Sequence, residues 1–166
     1  MAVRVPTGSE GVSVLPFGNG AERVLGNRNI GAQICGVDFN RHGQGHLFRA
    51  AQEGIVFSFK YGMDILKETG IEAKVIRAGQ ANMFLSPVFR ETLANVTGVS
   101  IELYNTDGAA GAARGAGVGL GYYASFTEAF SGLKKLDLVE PDLKVTELIN
   151  EAYQTWENNL NKFIKN

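Results

Sequence analysis

The fold is decided by residues 77–121, RAGQANMFLSPVFRETLANVTGVSIELYNTDGAAGAARGAGVGLG. Just before this stretch, Val75 and Ile76 form a short apolar run, which predicts a strand, and Gly79 then permits a sharp turn. Ligands in open α/β sheets bind at the carboxyl ends of the strands. The turn at Gly79 is therefore the first place where we expect a binding site.

A helix and a second strand follow this turn. Ser86 can cap the helix, Pro87 suits its first position, and Gly98 ends it. Apolar residues recur between them at helical spacing, at Phe89, Leu93 and Val96. The second strand is predicted from Val99 to Tyr104. Because two strands joined by a helix form a right-handed parallel unit, the sequence predicts a parallel pair.

A helix of very small residues is predicted after Asp107, which can serve as its N-cap. Its glycines and alanines leave little side-chain bulk, which suits close contact. The glycines at 115–121 do not make a dinucleotide fingerprint, because that motif follows a strand directly and opens a helix. The sequence also lacks the Gly-Lys-Ser or Gly-Lys-Thr of a Walker phosphate loop.

These residues resemble the adenosine-binding segment of the FGGY carbohydrate kinases. In that family a glycine pair ends a strand, an alanine-asparagine step opens a helix, and an acidic turn precedes a glycine-alanine helix. The matching positions are Gly79, Gln80, Ala81, Asn82 and Asp107. Two upstream segments also resemble the family, LPFGNGAER (15–23) its Gly-Glu-Arg loop and HLFRAAQEGIVF (46–57) its Arg-Ala and Glu-Gly helix. The resemblance therefore extends over most of the sequence.

The resemblance implies an α/β chain of the actin-like ATPase or ribonuclease H-like class, with a mixed sheet flanked by helices. Residues 1–166 would form the carboxyl-terminal, nucleotide-binding domain of a xylulokinase-like enzyme. The opening strands of that domain and the amino-terminal sugar domain would lie outside this sequence, together with the catalytic aspartate and most sugar contacts. No catalytic or metal-binding residue is assigned here, and the chain alone is expected to be inactive.

The activity implied by the resemblance is transfer of the γ-phosphate of ATP, with Mg²⁺, to a hydroxyl of xylulose or a related pentose or polyol. The residues implied near the nucleotide are Gly79 and Gln80 beside phosphate or ribose, and Ala81, Asn82 and Leu85 beside adenine. Asp107 would help to close the pocket, although an ordinary N-cap explains it equally well.

One position departs from the family pattern. Gln80 stands where many members have a second glycine, and it would place a side chain beside the nucleotide. This departure favours an alternative, a non-catalytic interaction module that keeps the fold without binding nucleotide. A Rossmann-like binding domain of another family is a third interpretation. The first two differ in whether ATP perturbs residues 79–82, and the third is tested by whether the sheet contains strands beyond a parallel pair.

Charge and composition indicate which kinds of partner the chain can bind and in which compartment it is found. The chain has 16 Lys and Arg against 17 Asp and Glu, so its net charge of -1 gives no general attraction to nucleic acid or anionic membranes. No apolar run approaches the roughly 20 residues of a membrane span. Cys35 is the single cysteine, which suits a reducing compartment and predicts a small core residue. We expect a cytoplasmic protein that binds neither nucleic acid nor membrane.

Residues 18–45 are predicted to form a long glycine-rich arm that needs a partner surface. Within it, Glu22 and Arg23 are interpreted as a local ion pair, with substrate contact as the alternative. His42 and His46 stand four residues apart, a spacing that can place both imidazoles on one helix face. Because the sequence offers no obvious third ligand, we interpret them as a polar helix entrance rather than a metal site.

Helices are predicted in the remaining segments. Residues 45–68 form a long helix, on whose surface Arg49 and Glu53 can pair. Residues 127–136 are predicted to form a short helix, and an amphipathic helix after Pro141 is expected to pack on its own domain. Strands missing from the sheet would leave a free edge. We therefore expect a homo-oligomer, through that edge or through the glycine-rich arm.

Overall fold

The structure is a computed structural model that describes residues 1–165. Its strands are β1 (Ser13–Leu15), β2 (Gln33–Cys35), β3 (Ile76–Gly79), β4 (Ile101–Tyr104) and β5 (Lys135–Val139). Its helices are α1 (Gln44–Glu68), α2 (Pro87–Thr97), α3 (Gly108–Gly119), α4 (Phe126–Phe130) and α5 (Thr146–Ile164). Short 3₁₀ turns occur at Ala2–Arg4, Ser9–Gly11, Arg23–Leu25 and Asn82–Leu85.

A mixed sheet carries the predicted parallel pair. β3 and β4 run parallel, with Ile76 opposite Ile101 and Gly79 opposite Tyr104, and α2 connects them. The parallel unit is therefore confirmed. The third strand, β5, pairs antiparallel with β4 on its other side. β5 corrects our prediction of a helix over residues 127–136, because the helix there is capped by Ser125 and ends at Phe130.

β1 and β2 form a separate antiparallel pair, with Ser13 opposite Cys35. Part of the glycine-rich arm predicted over residues 18–45 therefore has its partner surface within this chain, because β2 lies in that segment and pairs with β1. Cys35 is also not a core residue. It is half-buried on this pair, since a two-stranded ribbon leaves much of one strand exposed.

α1 is the central helix of the core. It begins at Gln44 and ends at Glu68, close to the predicted limits, and it packs against both α2 and β1. Gly54 allows the contact with β1, because a Cβ at this position would overlap the carbonyl oxygen of Val14. The apolar stripe of α1 thus builds core on one side.

α5 covers the core as predicted. Trp156 on this helix is fully buried, and its indole Nε1 donates a hydrogen bond to the carbonyl oxygen of Val14 at 2.8 Å. The Trp156 ring also lies 6.1 Å from the ring centroids of Phe17 and Phe57. The amphipathic face of α5 therefore docks on its own chain.

The mixed sheet of β3, β4 and β5 has an unpaired edge at β3 in the part of the chain that the structure describes. Within residues 1–165, β3 pairs only with β4, so its other edge is free. α1 exposes the apolar side chains of Phe48, Phe59 and Leu66, of which Phe59 lines a groove together with residues of β3. None of the helices in the described part of the chain is long and apolar enough to cross a bilayer.

Candidate functional site

The candidate site is formed by the loops that follow β3 and β4. Both strands end on the same side of the sheet, since they are parallel and in register. The N–H groups of Gln80 and Thr106 both donate to the carbonyl oxygen of Tyr104, at 2.9 and 2.8 Å. The two loops therefore meet directly at the carboxyl ends of the strands.

Gly79 is required at this junction for a reason other than turn geometry. A Cβ on Gly79 would overlap the carbonyl oxygen of Thr106, so glycine lets the two loops touch. The left-handed backbone of the turn is instead at Asn82, whose φ is 52°. Asparagine is among the non-glycine residues that tolerate this region best.

The loops border an open groove of about 450 Å³, which we call the β3–α3 groove. Four of the predicted nucleotide-site residues line it, namely Gly79, Ala81, Asn82 and Asp107. Gln80 and Leu85 do not line it. The Gln80 residue is exposed, and Leu85 at the end of the 3₁₀ turn is 61% exposed. The structure thus brings together four of the six predicted residues.

The floor of the β3–α3 groove is apolar and aromatic, which we did not predict from the sequence. Phe59, Phe84 and Phe89 line it. The Phe84 and Phe89 rings lie 5.3 Å apart, and those of Phe59 and Phe89 lie 6.2 Å apart, both edge to face. Phe89 is 1% exposed and is also a core residue, as its helical spacing predicted, whereas Phe59 is 49% exposed. An apolar floor with a few polar groups at its rim is typical of small-molecule sites.

The amino end of α3 forms one rim of the groove. Asp107 caps this helix, since its Oδ1 accepts a hydrogen bond from the N–H of Ala110 at 2.8 Å, as predicted. Gly108, the first helical residue, lines the groove with no side chain. A helix amino end carries a partial positive charge, which attracts anionic groups, whereas the Asp107 carboxylate opposes them.

A second groove, also of about 450 Å³, lies beside the same strand and is lined by Arg77, Tyr104, Thr106 and Phe130. Arg77 Nε donates to Glu102 Oε2 at 3.0 Å, and the Tyr104 hydroxyl donates to the same oxygen at 2.8 Å. These two hydrogen bonds lower the pKa of Glu102 to about 2. Glu102 thus remains ionised and holds Arg77 at the edge of the sheet.

The predicted Arg49–Glu53 pair exists, but it is buried rather than on the helix surface. Arg49 Nε donates to Glu53 Oε1 at 2.7 Å, and the Glu53 side chain is only 2% exposed. Arg49 also donates to the carbonyl oxygen of Val5 and to the hydroxyl of Thr7. Burial raises the pKa of Glu53, although Arg49 opposes that rise. Hydrogen bonds from Arg49 and Glu53 thus hold residues 5–8 against α1.

The two histidines form part of the entrance to α1. Nδ1 of His42 accepts from the N–H of Asp38 at 2.9 Å, and Nδ1 of His46 accepts from the N–H of Gly43 at 3.1 Å. Across residues 1–165 we find no group of three His, Cys, Asp or Glu side chains that could hold a metal ion.

Glu22 forms an isolated antiparallel bridge with Arg28, in which the N–H of Glu22 donates to the carbonyl oxygen of Arg28, rather than a pair with Arg23.

Residues 2–122 match the C-terminal domain of the FGGY family of carbohydrate kinases. The chain is also 29% identical over 170 residues to the xylulose kinase of Haemophilus influenzae. That alignment covers 98% of this chain and 33% of the relative, so the chain spans about a third of the relative's length.

Solved structures agree with this assignment at the level of the fold. A ligand-bound xylulose kinase from Lactobacillus acidophilus superposes with a TM-score of 0.78 at 21% identity, covering 97% of this chain and 33% of that one. A Plasmodium falciparum glycerol kinase with ADP superposes with a TM-score of 0.70 at 20% identity, covering 93% of this chain and 31% of that one.

These likenesses confirm the predicted actin-like α/β fold, in which a mixed sheet is flanked by helices. They also exclude the Rossmann-like domain of another family that we considered as a third interpretation. The family model matches residues 2–122, which is most of this chain. The chain therefore belongs to the FGGY family of carbohydrate kinases.

Proposed function

We propose that the β3–α3 groove is the adenine-nucleotide half-site of a carbohydrate kinase that phosphorylates xylulose or a related pentose or polyol. The observation that carries the proposal is the direct contact between the loops after β3 and β4, which opens a groove at the carboxyl ends of parallel strands. The relatives support it, since one is a xylulose kinase and a structural neighbour contains ADP.

The groove offers suitable contacts for an adenine nucleotide. The aromatic floor, which includes Phe84 and Phe89, can cover the purine ring by stacking or edge contact. Ala81 and Asn82 at the rim would contact the adenine, while Gly79 and Gln80 would lie toward ribose and phosphate. Glycine and alanine at these positions leave room for the ligand to approach the backbone.

The phosphates would lie toward the amino end of α3, beside Gly108. Mg²⁺ supplies positive charge to the phosphates when it is bound. Asp107 is the only carboxylate among the residues that line the groove, and it already caps α3. The ion would therefore be held chiefly by the nucleotide itself, as Mg²⁺ commonly is.

The catalytic base and the sugar contacts would come from polypeptide outside residues 1–166. Phosphoryl transfer depends on positioning and charge stabilisation, so separate domains can share the work. We base this division on the alignments, in which the chain spans about a third of its relatives' length. We place the complete enzyme in the cytoplasm, which the single cysteine of the present chain suits.

Titration of the ¹⁵N-labelled chain with MgATP tests nucleotide binding. We expect saturable shifts at Gly79, Ala81, Asn82 and Gly108, with weak affinity because one face of the nucleotide remains in water. Trp156, which lies outside the groove, should not move. Asn82→Gly removes the amide and keeps the left-handed backbone, so it isolates the side-chain contact, whereas Asn82→Ala also strains the turn.

The alternative is an interaction module that has kept this fold without nucleotide binding. The free edge of β3 favours it, because an unpaired strand can add a strand from another chain. Gln80 in place of a second glycine also favours it. If millimolar MgATP leaves residues 79–82 unchanged, this alternative replaces the half-site.

A further inference from the structure

α3 forms one rim of the β3–α3 groove, yet the apolar core does not fix its position. None of the residues in Gly108–Gly119 is buried, and the helix packs mainly against α4, a helix of five residues. Packing of a buried apolar face is what usually holds a helix in place. The position of α3 against the sheet therefore depends on other contacts.

Arg114 provides such a contact from the second turn of α3. Its Nη1 donates a hydrogen bond to the hydroxyl of Thr106 at 2.8 Å, and its guanidinium lies 5.9 Å from the centroid of the Phe130 ring on α4. Among residues 1–165, Arg114 forms no ion pair with a carboxylate. The half-buried Arg114 side chain thus joins α3 to α4 and to the loop after β4.

Thr106 carries this contact to the candidate site. Its carbonyl oxygen is the atom against which Gly79 packs. Its hydroxyl accepts from Arg114 and donates to the carbonyl oxygen of Asp107, the N-cap of α3, at 3.4 Å. A hydroxyl can accept and donate at the same time, so this side chain makes both contacts. A displacement of Thr106 would therefore shift Gly79 and Asp107, which both line the β3–α3 groove.

We propose that Arg114 is a positioning residue of the nucleotide half-site, which holds the turn at Thr106 and Asp107 in the geometry that binds the ligand. Arg114 does not line the β3–α3 groove, so it acts through Thr106 rather than on the nucleotide. This role rests on the proposed function. It adds a residue within α3 to a site whose predicted residues all precede that helix.

The position of the turn is tested first in the nucleotide-free chain. Arg114→Met keeps an unbranched side chain and removes its N–H donors. We expect it to move the amide resonances of Gly79 and Gln80, which lie in the other loop of the site. Arg41→Met should leave both resonances in place, since Arg41 lines neither groove beside β3. Unchanged resonances of Gly79 and Gln80 in Arg114→Met would overturn the proposal.

Variants of Thr106 then show whether Arg114 acts through this residue. Thr106→Val removes the hydroxyl at nearly constant shape, whereas Thr106→Ser keeps it. In the MgATP titration, Arg114→Met and Thr106→Val should each weaken binding roughly threefold to tenfold, the usual effect of losing one hydrogen bond. Thr106→Ser should bind MgATP as the native chain does. The double variant should bind no more weakly than either single variant, because both changes remove the same contact.

The two measurements separate the role of Arg114 from the proposed function. A native chain that does not bind MgATP would refute the half-site, while the nucleotide-free spectra would still decide whether Arg114 positions the turn. If the native chain binds MgATP and the losses of the single variants add in the double variant, Arg114 acts independently of Thr106, which contradicts the proposal. Native affinity in Arg114→Met would contradict it as well.

Discussion

Gly79 lies directly against the carbonyl oxygen of Thr106, so that no Cβ fits between the two loops of the candidate site. This contact determines how the site can be tested. A bulky substitution such as Gly79→Val would separate the loops and remove nucleotide binding even if no nucleotide atom touched residue 79. Variants at Asn82 are therefore the better probes of the half-site.

Gly79→Ala is expected to destabilise the chain by about 1–3 kcal/mol, the usual cost of forcing an extra carbon into a packed contact. Urea unfolding followed by circular dichroism measures this change. Gly111→Ala is the control, because a Cβ at Gly111 meets nothing within 4 Å and alanine is the better helix former. A Gly79→Ala protein as stable as the Gly111→Ala protein would contradict the proposed contact.

Arg49→Ala should destabilise the chain by about 3–5 kcal/mol, because it leaves the buried Glu53 without its charged partner. The amino-terminal segment should also become accessible to protease, since Arg49 holds Val5 and Thr7. Arg41→Ala removes an arginine whose side chain is 63% exposed and should change stability very little. Urea midpoints and limited proteolysis of the two variants show whether the Arg49–Glu53 pair contributes more to stability than the exposed Arg41–Glu10 pair.

The pH dependence of stability should include a contribution from Glu102. Its pKa in the folded chain is about 2, below the ordinary value of 4.5, so its stabilisation is present above pH 4.5 and is lost as the pH falls through 2. The urea midpoint should therefore fall more steeply with acid in the native chain than in Glu102→Gln. The raised pKa of Glu53 acts in the opposite direction in both proteins and cancels in the comparison.

The measurement for Glu102 compares urea midpoints at pH 7, 4 and 2.5. Glu91→Gln is the control, since Glu91 is an exposed carboxylate outside the ion pairs of residues 1–165. If Glu102→Gln and the native chain lose stability in parallel, the hydrogen bonds from Arg77 and Tyr104 do not act as described.

The purified chain should not phosphorylate xylulose. We expect no turnover with ATP, Mg²⁺ and a panel of ketopentoses and polyols, because the catalytic base is proposed to lie on other polypeptide. A full-length xylulose kinase in the same coupled assay provides the positive control. Saturable activity that Asn82→Ala abolishes would show that the catalytic parts are within residues 1–166.

The free edge of β3 should cause association. The N–H groups of Ile76 and Gln80 point to β4, so the alternation along the strand directs the N–H of Arg77 to the free edge. Arg77→Pro should therefore reduce dimerisation, while Arg77→Ala, which also loses the Glu102 ion pair, should not. Light scattering after size-exclusion chromatography measures the mass. A native chain that stays at its 17.9 kDa monomer mass at high concentration would exclude this interface.

The sequence predicted the elements whose signals are local. Pro87 and Gly98 bound α2, Asp107 caps α3, and the helical spacing of apolar residues located α1 and α5. The family resemblance added the fold class, which the comparisons confirm. Its division into a nucleotide domain and a missing sugar domain remains a prediction.

The missed features depend on contacts between distant segments. β2 has only three residues and becomes a strand by pairing with β1, while β5 is largely exposed and forms on the edge of β4. Only 11% of the Arg49 side chain is exposed, because the amino-terminal segment, 44 residues away in the chain, packs against it. Phe59 lines the groove beside β3, and no strand within residues 1–165 pairs with the outer edge of β3.

The hydrogen bond from Trp156 to Val14 joins residues 142 positions apart, and this separation has a consequence for synthesis. At a translation rate of about 5–20 residues per second, β1 leaves the peptidyl-transferase centre roughly 7–30 s before Trp156 is added. During that interval the apolar face of β1 has no α5 to cover it. A nascent chain paused before α5 should therefore be a substrate for chaperones, and the released chain should not.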